Sequence, residues 1–229
     1  MEAYVFTFLR VPFYTAVSLV IGMLGGYIFS KLHFPGKHQV FLLFLTGMLM
    51  PGILMLLPDF IMMARWPLAG GNDLFGQGGQ GLIGDWRVLF ISGWAPPGAI
   101  FLFKQSFDML PTEYEDAAKM DGAGLFTIIF RVYGPLLKPT AMALIIIVFL
   151  AVWTDYLWPS LTVAGHPEYY PVALRIANLG HFPDHLTQYD AIYATPLLAI
   201  LLVSWPPALV YFLLQRYFVQ GLVASGLKG

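Results

Sequence analysis

The chain has 229 residues, of which 58% are hydrophobic and 11% are charged, with a net charge of -1 at pH 7 and a mean hydropathy of +0.71. Soluble domains carry about 25% charged residues, so this composition excludes an ordinary soluble protein and predicts an integral membrane protein. The sequence contains no cysteine, which excludes a disulfide framework and a thiolate metal site.

Five apolar stretches approach the length of a membrane-spanning helix, which needs about 20 predominantly apolar residues. In chain order they are residues 11–30, 40–64, 88–103, 141–158 and 191–215. We therefore expect an all-α, polytopic transmembrane helix bundle with five spans.

Glycine and proline modify three of these spans. Gly22, Gly25 and Gly26 lie in the first span and predict close contact with another helix, because small residues let two backbones approach. Pro51 and Pro58 interrupt the second span. In the third, Pro96 and Pro97 predict a break or a kink, because proline lacks the N–H that continues a helix.

Two longer connections lie on the same side of the predicted membrane. In residues 66–87, Gly76, Gly78 and Gly81 match the spacing of a dinucleotide-binding fingerprint, but no strand precedes them, so we interpret the segment as a flexible surface loop. The connection 160–190 contains His181 and His185 at helical ligand spacing. Pro183 between them argues against a helix and hence against a metal site.

Residues 111–139 form the charge-dense segment of the chain, and four of the 13 acidic residues lie between Glu113 and Asp121. Thr112 followed three residues later by Glu115 predicts a capping box at the start of a helix. Gly122 predicts the end of that helix.

The resulting helix, 113–120, has about two turns, which is too short to be stable alone in water. Ala117 and Ala118 give it a face of little bulk that allows close approach to a groove. We expect this helix to dock on a separate protein.

Lysine and arginine are distributed asymmetrically, with eight on the side that carries the charged segment and four on the other. The eight are Lys31, Lys37, Lys104, Lys119, Arg131, Lys138, Arg216 and Lys228, and the four are Arg10, Arg65, Arg87 and Arg175. Positive residues favour the cytoplasmic side, so the charged segment and the C-terminus are predicted to be cytoplasmic.

Two carboxylates, Asp59 and Asp155, lie near membrane depth, where an ionisable group is a functional candidate. Asp155 is grouped with Trp153 and Tyr156, which suits either hydrogen bonding and stacking on a sugar ring or an aromatic belt with an interfacial acid. Trp94, beside the Pro96 break, is a weaker candidate for the substrate path.

Three motifs then resemble the permease subunits of binding-protein-dependent ABC importers. The run Asp116-Ala117-Ala118, three residues and Gly122 resembles their EAA loop, and 132–135, Val-Tyr-Gly-Pro, stands for the Ile-x-Leu-Pro of that pattern with Gly134 departing from Leu. Residues 153–159 are similar to the Trp-Asn-Asp-Phe-x-x-Pro run of the carbohydrate branch of this family. Residues 215–221 are similar to the C-terminal signature of the same branch. Within that branch, the resemblance is to the maltose-type second permease.

This resemblance implies the type I importer permease fold, with one transmembrane domain over 1–229 and a cytoplasmic coupling loop at about 108–139. The family usually has six spans, so the first is expected to be missing from this sequence. The implied coupling residues are Thr112, Glu115, Asp116, Ala117, Ala118, Asp121 and Gly122.

The resemblance also implies a multi-pass subunit of a prokaryotic inner membrane that transports a sugar or oligosaccharide. Its implied partners are a second homologous permease, two ATPase subunits that hold ATP and Mg²⁺, an external solute-binding protein and membrane lipid, but no nucleic acid. The chain has no G-x-x-x-x-G-K-[ST] motif, so we expect no ATPase site, bound cofactor, metal or catalytic residue in it.

Other interpretations stay open. The solute is alternatively a polyol, glycerol phosphate, polyamine or amino acid. An ion-coupled secondary transporter would use intramembrane carboxylates or broken helices, but would leave the docking helix unexplained. A membrane enzyme is disfavoured because the five histidines lie in loops on two different sides.

Overall fold

The computed structural model describes residues 2–93, 96–178, 197, 200–201 and 203–213, and all regular secondary structure in these residues is helical. The helices are α1 (Glu2–Lys31), α2 (Lys37–Leu49), α3 (Gly52–Ala64), α4 (Val88–Ile91), α5 (Pro97–Asp108), α6 (Glu113–Met120), α7 (Leu125–Thr127), a π-helix (Ile128–Tyr133), α8 (Gly134–Leu136), α9 (Lys138–Trp153), α10 (Leu157–Thr162), a 3₁₀ turn (Pro167–Tyr169), α11 (Val172–Ala177) and α12 (Val203–Leu213).

Two helical segments within the described residues are long and apolar enough to cross a membrane, Ala3–Lys31 and Lys138–Thr162. They confirm the first apolar stretch as one continuous helix, whereas the fourth is divided between α9 and α10 by the non-helical residues 154–156. Of the fifth stretch, α12 covers residues 203–213, and most of the remainder lies outside the described residues.

Proline divides the second and third stretches. Helices α2 and α3 are separated by Met50 and Pro51, and Met50 has the extended backbone that a following proline favours. Pro58 lies inside α3 without ending it. The third stretch is divided between α4 and α5, and Pro96 is the N-cap of α5. The predicted breaks at Pro51 and Pro96 are confirmed, but the one at Pro58 is wrong.

The chain forms two compact units, which are described separately. The first unit contains the described residues among 1–14, 51–92 and 149–212, and the second those among 15–50, 93–148 and 213–229. One buried hydrophobic cluster of the first unit contains Met63, Leu82, Val88, Leu89, Trp158, Val163 and Leu174.

The predicted surface loop at 66–87 contains no helix or strand, and it is a compact, hydrogen-bonded part of the first unit. The buried Asn72 side chain donates to the carbonyls of Ala64 and Trp66 at 2.9 and 3.0 Å and accepts the Gly79 N–H at 2.8 Å. The glycines allow this compact path, since Gly70, Gly71, Gly76, Gly78, Gly81 and Gly84 all have positive φ.

In the second unit, α1 and α5 pack closely through the glycines of α1. A Cβ atom on Gly22 would lie 2.8 Å from the Phe103 ring, and one on Gly26 would lie 2.6 Å from the Phe103 Cβ. Real Cβ atoms essentially never approach other atoms so closely, so the predicted close helix contact is confirmed.

Candidate functional site

Helix α6, the predicted docking helix, has the predicted bounds and the predicted end. Gly122 has φ +78° and donates its N–H to the Lys119 carbonyl at 2.9 Å, while Ala123 donates to Ala118 at 2.9 Å. These two bonds form a Schellman motif, in which a glycine in the left-handed conformation satisfies the last helical carbonyls.

The prediction of a capping box at the start of α6 is wrong. Thr112 has a helical backbone, with φ −75° and ψ −20°, and its hydroxyl makes no capping bond. A side chain that caps normally requires an extended backbone at this residue. Instead, the Thr112 carbonyl accepts the N–H groups of Glu115 and Asp116 at 2.9 and 3.0 Å.

Glu115 joins α6 to α1 rather than capping α6. Its carboxylate accepts the Tyr27 hydroxyl at 2.8 Å and pairs with Lys119 at 2.7 Å, and both Glu115 and Tyr27 are buried. Near this contact, the Lys31 ammonium donates to the Leu110 carbonyl at 2.6 Å. The start of the charged segment is therefore attached to the end of α1 by two polar contacts.

Charge–dipole and ion-pair contacts keep the Glu115 carboxylate ionised. Burial raises its pKa, but hydrogen bonds from Lys119 and Tyr27, together with the Lys31 charge, lower it more, so the pKa lies below the ordinary 4.5. An ionised acceptor makes a stronger hydrogen bond than a neutral one. The hydrogen bond from Tyr27 to Glu115 is therefore a strong, charge-assisted one at neutral pH.

An aromatic cluster lies beside this link. The fully buried Tyr133 ring packs edge-on against Phe107 at 5.3 Å between ring centroids, and Tyr27 packs edge-on against Phe107 at 5.7 Å. Burial, assisted by the nearby negative Glu115, raises the pKa of the Tyr133 hydroxyl to about 12. At Gly134, the position that departs from the family pattern, a Cβ would make an ordinary contact with Met23 at 3.8 Å.

The two alanines of α6 face different directions, so the expectation that they share a docking face is wrong. Ala118 is buried, because it lies one turn from the buried Glu115, whereas Ala117 is exposed. The exposed surface of α6 and its end instead includes Asp116, Ala117, Met120, Asp121 and Gly122.

The first unit contains a buried ion pair between Arg10 and Asp155. The Arg10 Nη2 atom lies 2.7 Å from Asp155 Oδ2, and the two side chains are 2% and 22% exposed. Arg10 Nε donates to the Leu89 carbonyl at 3.0 Å, and the single proton of the Tyr14 hydroxyl is shared between the carbonyls of Leu89 and Ser92 at 3.0 and 2.5 Å. Carbonyls at the end of the short helix α4 have no intrahelical partner, so α1 satisfies them.

The aromatic residues near Asp155 differ in accessibility. Trp153 is fully buried, stacks on Phe149 at 5.4 Å between centroids and donates its indole N–H to the Val203 carbonyl at 3.1 Å. The Trp153 ring has no exposed face in this chain, and its stacking on a sugar ring stays a prediction. Tyr156 is exposed. The predicted candidate Trp94 lies outside the described residues, as do His181 and His185, at which no metal site was predicted.

Sequence reasoning missed two residues of these clusters, Arg10 and Tyr27. Arg10 carried a usable signal, since it is the one charged residue between Ala3 and Ser30, a segment long enough to span a membrane. Tyr27 carried none, because its hydroxyl partner is 88 residues away in sequence. Within the described residues, no cluster of three or more acidic, histidine or cysteine side chains is arranged to hold a metal ion.

Comparison with known proteins gives consistent matches over almost the whole chain. The family model described as binding-protein-dependent transport system inner membrane component matches residues 18–223. The chain is 29% identical to a lactose transport system permease protein of Rhizobium radiobacter, over 92% of this chain and 70% of that protein. It is 30% identical to an arabinooligosaccharides transport system permease protein of Bacillus subtilis, over 95% and 70%.

A third relative is an sn-glycerol-3-phosphate transport system permease protein of Agrobacterium fabrum, 30% identical over 91% of this chain and 67% of that protein. Among solved structures, a chain of a bacterial ABC transporter involved in the import of the acidic polysaccharide alginate aligns with a TM-score of 0.73 and 19% identity, over 95% of this chain and 74% of that chain. At this identity the structural match supports the fold alone.

Proposed function

Because this chain belongs to the family of binding-protein-dependent transport system inner membrane components, we propose that it forms part of the path by which a sugar or oligosaccharide crosses a prokaryotic inner membrane. The names of the lactose and arabinooligosaccharide relatives support this substrate class. Glycerol phosphate or another polyol is the alternative solute, supported by the glycerol-3-phosphate relative.

In this proposal the chain contributes a single transmembrane domain of five spans, with the coupling loop and the C-terminus in the cytoplasm. A second homologous permease completes the path. Two ATPase subunits bind ATP and Mg²⁺ beneath it, and an external solute-binding protein delivers the solute. The chain itself does no chemistry on the solute.

The link between α6 and α1 is the observation that carries the mechanism. The exposed surface around Ala117 can lie against an ATPase subunit, while the buried Glu115 on the opposite face holds Tyr27 of α1 at 2.8 Å. When ATP closes the ATPase pair, α6 moves with it. Because the Glu115–Tyr27 bond joins α6 to α1 and the Lys31–Leu110 bond joins α1 to the segment just before α6, this displacement pulls on a helix of spanning length and shifts the path between outward and inward access.

A charged side chain at Ala117 tests this mechanism. In vesicles that contain the assembled transporter, Ala117→Glu should lower solute uptake at least tenfold while ATP hydrolysis continues, because the exposed position is where the ATPase subunit lies. Gln39→Glu is the matched control, since it adds the same charge at an exposed residue on the same predicted side.

Uptake by wild type and the control should require ATP and should persist when the ion gradient is dissipated. Full ATP-driven uptake by Ala117→Glu would contradict the proposed coupling. Uptake that follows the ion gradient instead would favour the ion-coupled class of transporter.

A further inference from the structure

A cavity of about 360 Å³ lies in the second unit, between the end of α1, the start of α2 and the end of α5. Phe29, Phe41 and Leu42 supply its apolar wall, and Lys37, His38 and Lys104 supply basic groups. The cavity therefore combines a hydrophobic surface with a concentration of positive charge. The coupling mechanism uses none of these residues.

One carboxylate lines the cavity, and other residues already satisfy it. Asp108 is paired with Lys104 and accepts the Ser30 hydroxyl at 2.6 Å. The Lys104 ammonium also lies 5.0 Å from the centroid of the Phe41 ring, which orients it along the apolar wall. This pair contributes no net charge.

Lys37 leaves the cavity positively charged. Its ammonium donates to the carbonyls of Ser30 and Leu32 at 2.8 and 2.9 Å, and neither carbonyl carries a net charge. His38 is exposed at the same site, where its imidazole can donate a hydrogen bond to a ligand. An anion would be attracted to this cavity.

The surroundings of the cavity favour a ligand with an apolar part as well. Leu42 lines the cavity and is 48% exposed, and Val40, Leu43 and Leu49 of the same helix are exposed too. All the lysines involved lie on the predicted cytoplasmic side. Basic pockets between membrane helices on that side bind lipid headgroups.

We propose that this cavity binds the phosphate headgroup of an anionic phospholipid of the inner leaflet. The phosphate lies against Lys37 and His38, and the acyl chains follow the exposed apolar surface of α2. This assignment rests on the membrane location in the proposed function but not on the coupling to an ATPase. A soluble anion would make no use of the apolar wall.

Native mass spectrometry of the assembled transporter, titrated with phosphatidylglycerol or phosphatidylcholine, tests the site. Lys37→Gln should weaken phosphatidylglycerol binding about fivefold, since one lysine near a membrane surface contributes about 1 kcal/mol to the attraction of anionic lipid. Phosphatidylcholine binding should not change. Arg131→Gln, which removes an exposed charge on the same predicted side, should leave both unchanged.

Three results would overturn the lipid assignment. One is equal binding of phosphatidylglycerol by wild type and Lys37→Gln. Another is displacement of the lipid by an equal concentration of inorganic phosphate, which would assign the site to the free anion. The third is a Lys37 effect in the isolated chain that disappears in the assembly, which would mean that a partner subunit covers the cavity. A loss of lipid binding with intact ATP-driven uptake would leave the proposed function standing.

Discussion

At the scale of single residues, the first unit contains a charged group whose burial is energetically costly, the Arg10 guanidinium. A guanidinium that is 2% exposed in an apolar helix is stable only when its charge is compensated, and Asp155 provides that charge at 2.7 Å. Arg10 in turn satisfies the Leu89 carbonyl at the end of α4. Arg10 thus attaches α1 both to Asp155, which lies between α9 and α10, and to the end of α4.

Removing either partner of this pair should destabilise the protein. We expect Asp155→Leu, which leaves the buried Arg10 guanidinium uncompensated, and Arg10→Met, which leaves the half-buried Asp155 carboxylate without its partner, each to lower the free energy of unfolding by about 3 kcal/mol. The double variant, Arg10→Met with Asp155→Leu, should recover most of that loss. Thermal unfolding in detergent measures all three, with the exposed Glu168→Gln as control. Strictly additive losses in the double variant would contradict the pairing.

Glu115 makes the docking helix sensitive to acid. Because its pKa is lower in the folded protein, its stabilising contribution is fully present above the ordinary pKa of 4.5 and is lost as the pH falls through the lowered value. The protection of the 113–120 amides from hydrogen exchange, relative to their intrinsic exchange rate at each pH, should therefore fall on acidification in that range. Glu115→Gln should remove most of this pH dependence, and the exposed Glu113→Gln should not. An unchanged pH profile in Glu115→Gln would refute this assignment.

At the scale of helices, glycine controls the distance between α1 and α5. A Cβ on Gly26 would lie 2.6 Å from the Phe103 Cβ and 2.8 Å from the backbone nitrogen of Lys104, so a backbone must shift to admit it. At Gly134 the nearest atoms would be 3.7 and 3.8 Å away, which is ordinary contact.

Alanine at these two glycines should therefore have opposite effects. Gly26→Ala should destabilise the protein by about 1–3 kcal/mol through overpacking. Gly134→Ala should be neutral or slightly stabilising, because alanine favours a helix more than glycine does. Equal melting temperatures for the two variants would mean that the close α1–α5 contact is absent.

The helical elements were predictable where their signals were local. The bounds of α6, its end at Gly122 and the close contact at Gly22 and Gly26 follow from neighbouring residues. The predicted capping box at Thr112 is absent, because the Glu115 side chain bonds instead to Tyr27, which is distant in sequence.

Two further features that the sequence did not predict also depend on contacts between residues distant in sequence or on buried hydrogen bonds. The fold of residues 66–87 depends on buried Asn72 bonds, and the burial of Trp153 depends on packing with Phe149 and Val203. Contacts of this kind leave no periodic pattern in a sequence.

At the scale of the whole molecule, α1 supplies residues to both compact units. It carries Arg10, which pairs with Asp155 in the first unit, and Tyr27, which holds Glu115 in the second. A single helix of spanning length thus bears long-range polar attachments in each unit. In the proposed mechanism, α6 changes the position of α1 during transport.

Cross-linking at position 117 tests the central claim most directly, and the sequence contains no cysteine to interfere. In the assembled transporter, Ala117→Cys should cross-link to the ATPase subunit and should resist a membrane-impermeant thiol reagent added outside intact cells. Gln39→Cys should share that resistance without forming the cross-link. Labelling of Ala117→Cys from outside, or its failure to cross-link in an assembly that still transports, would contradict the account.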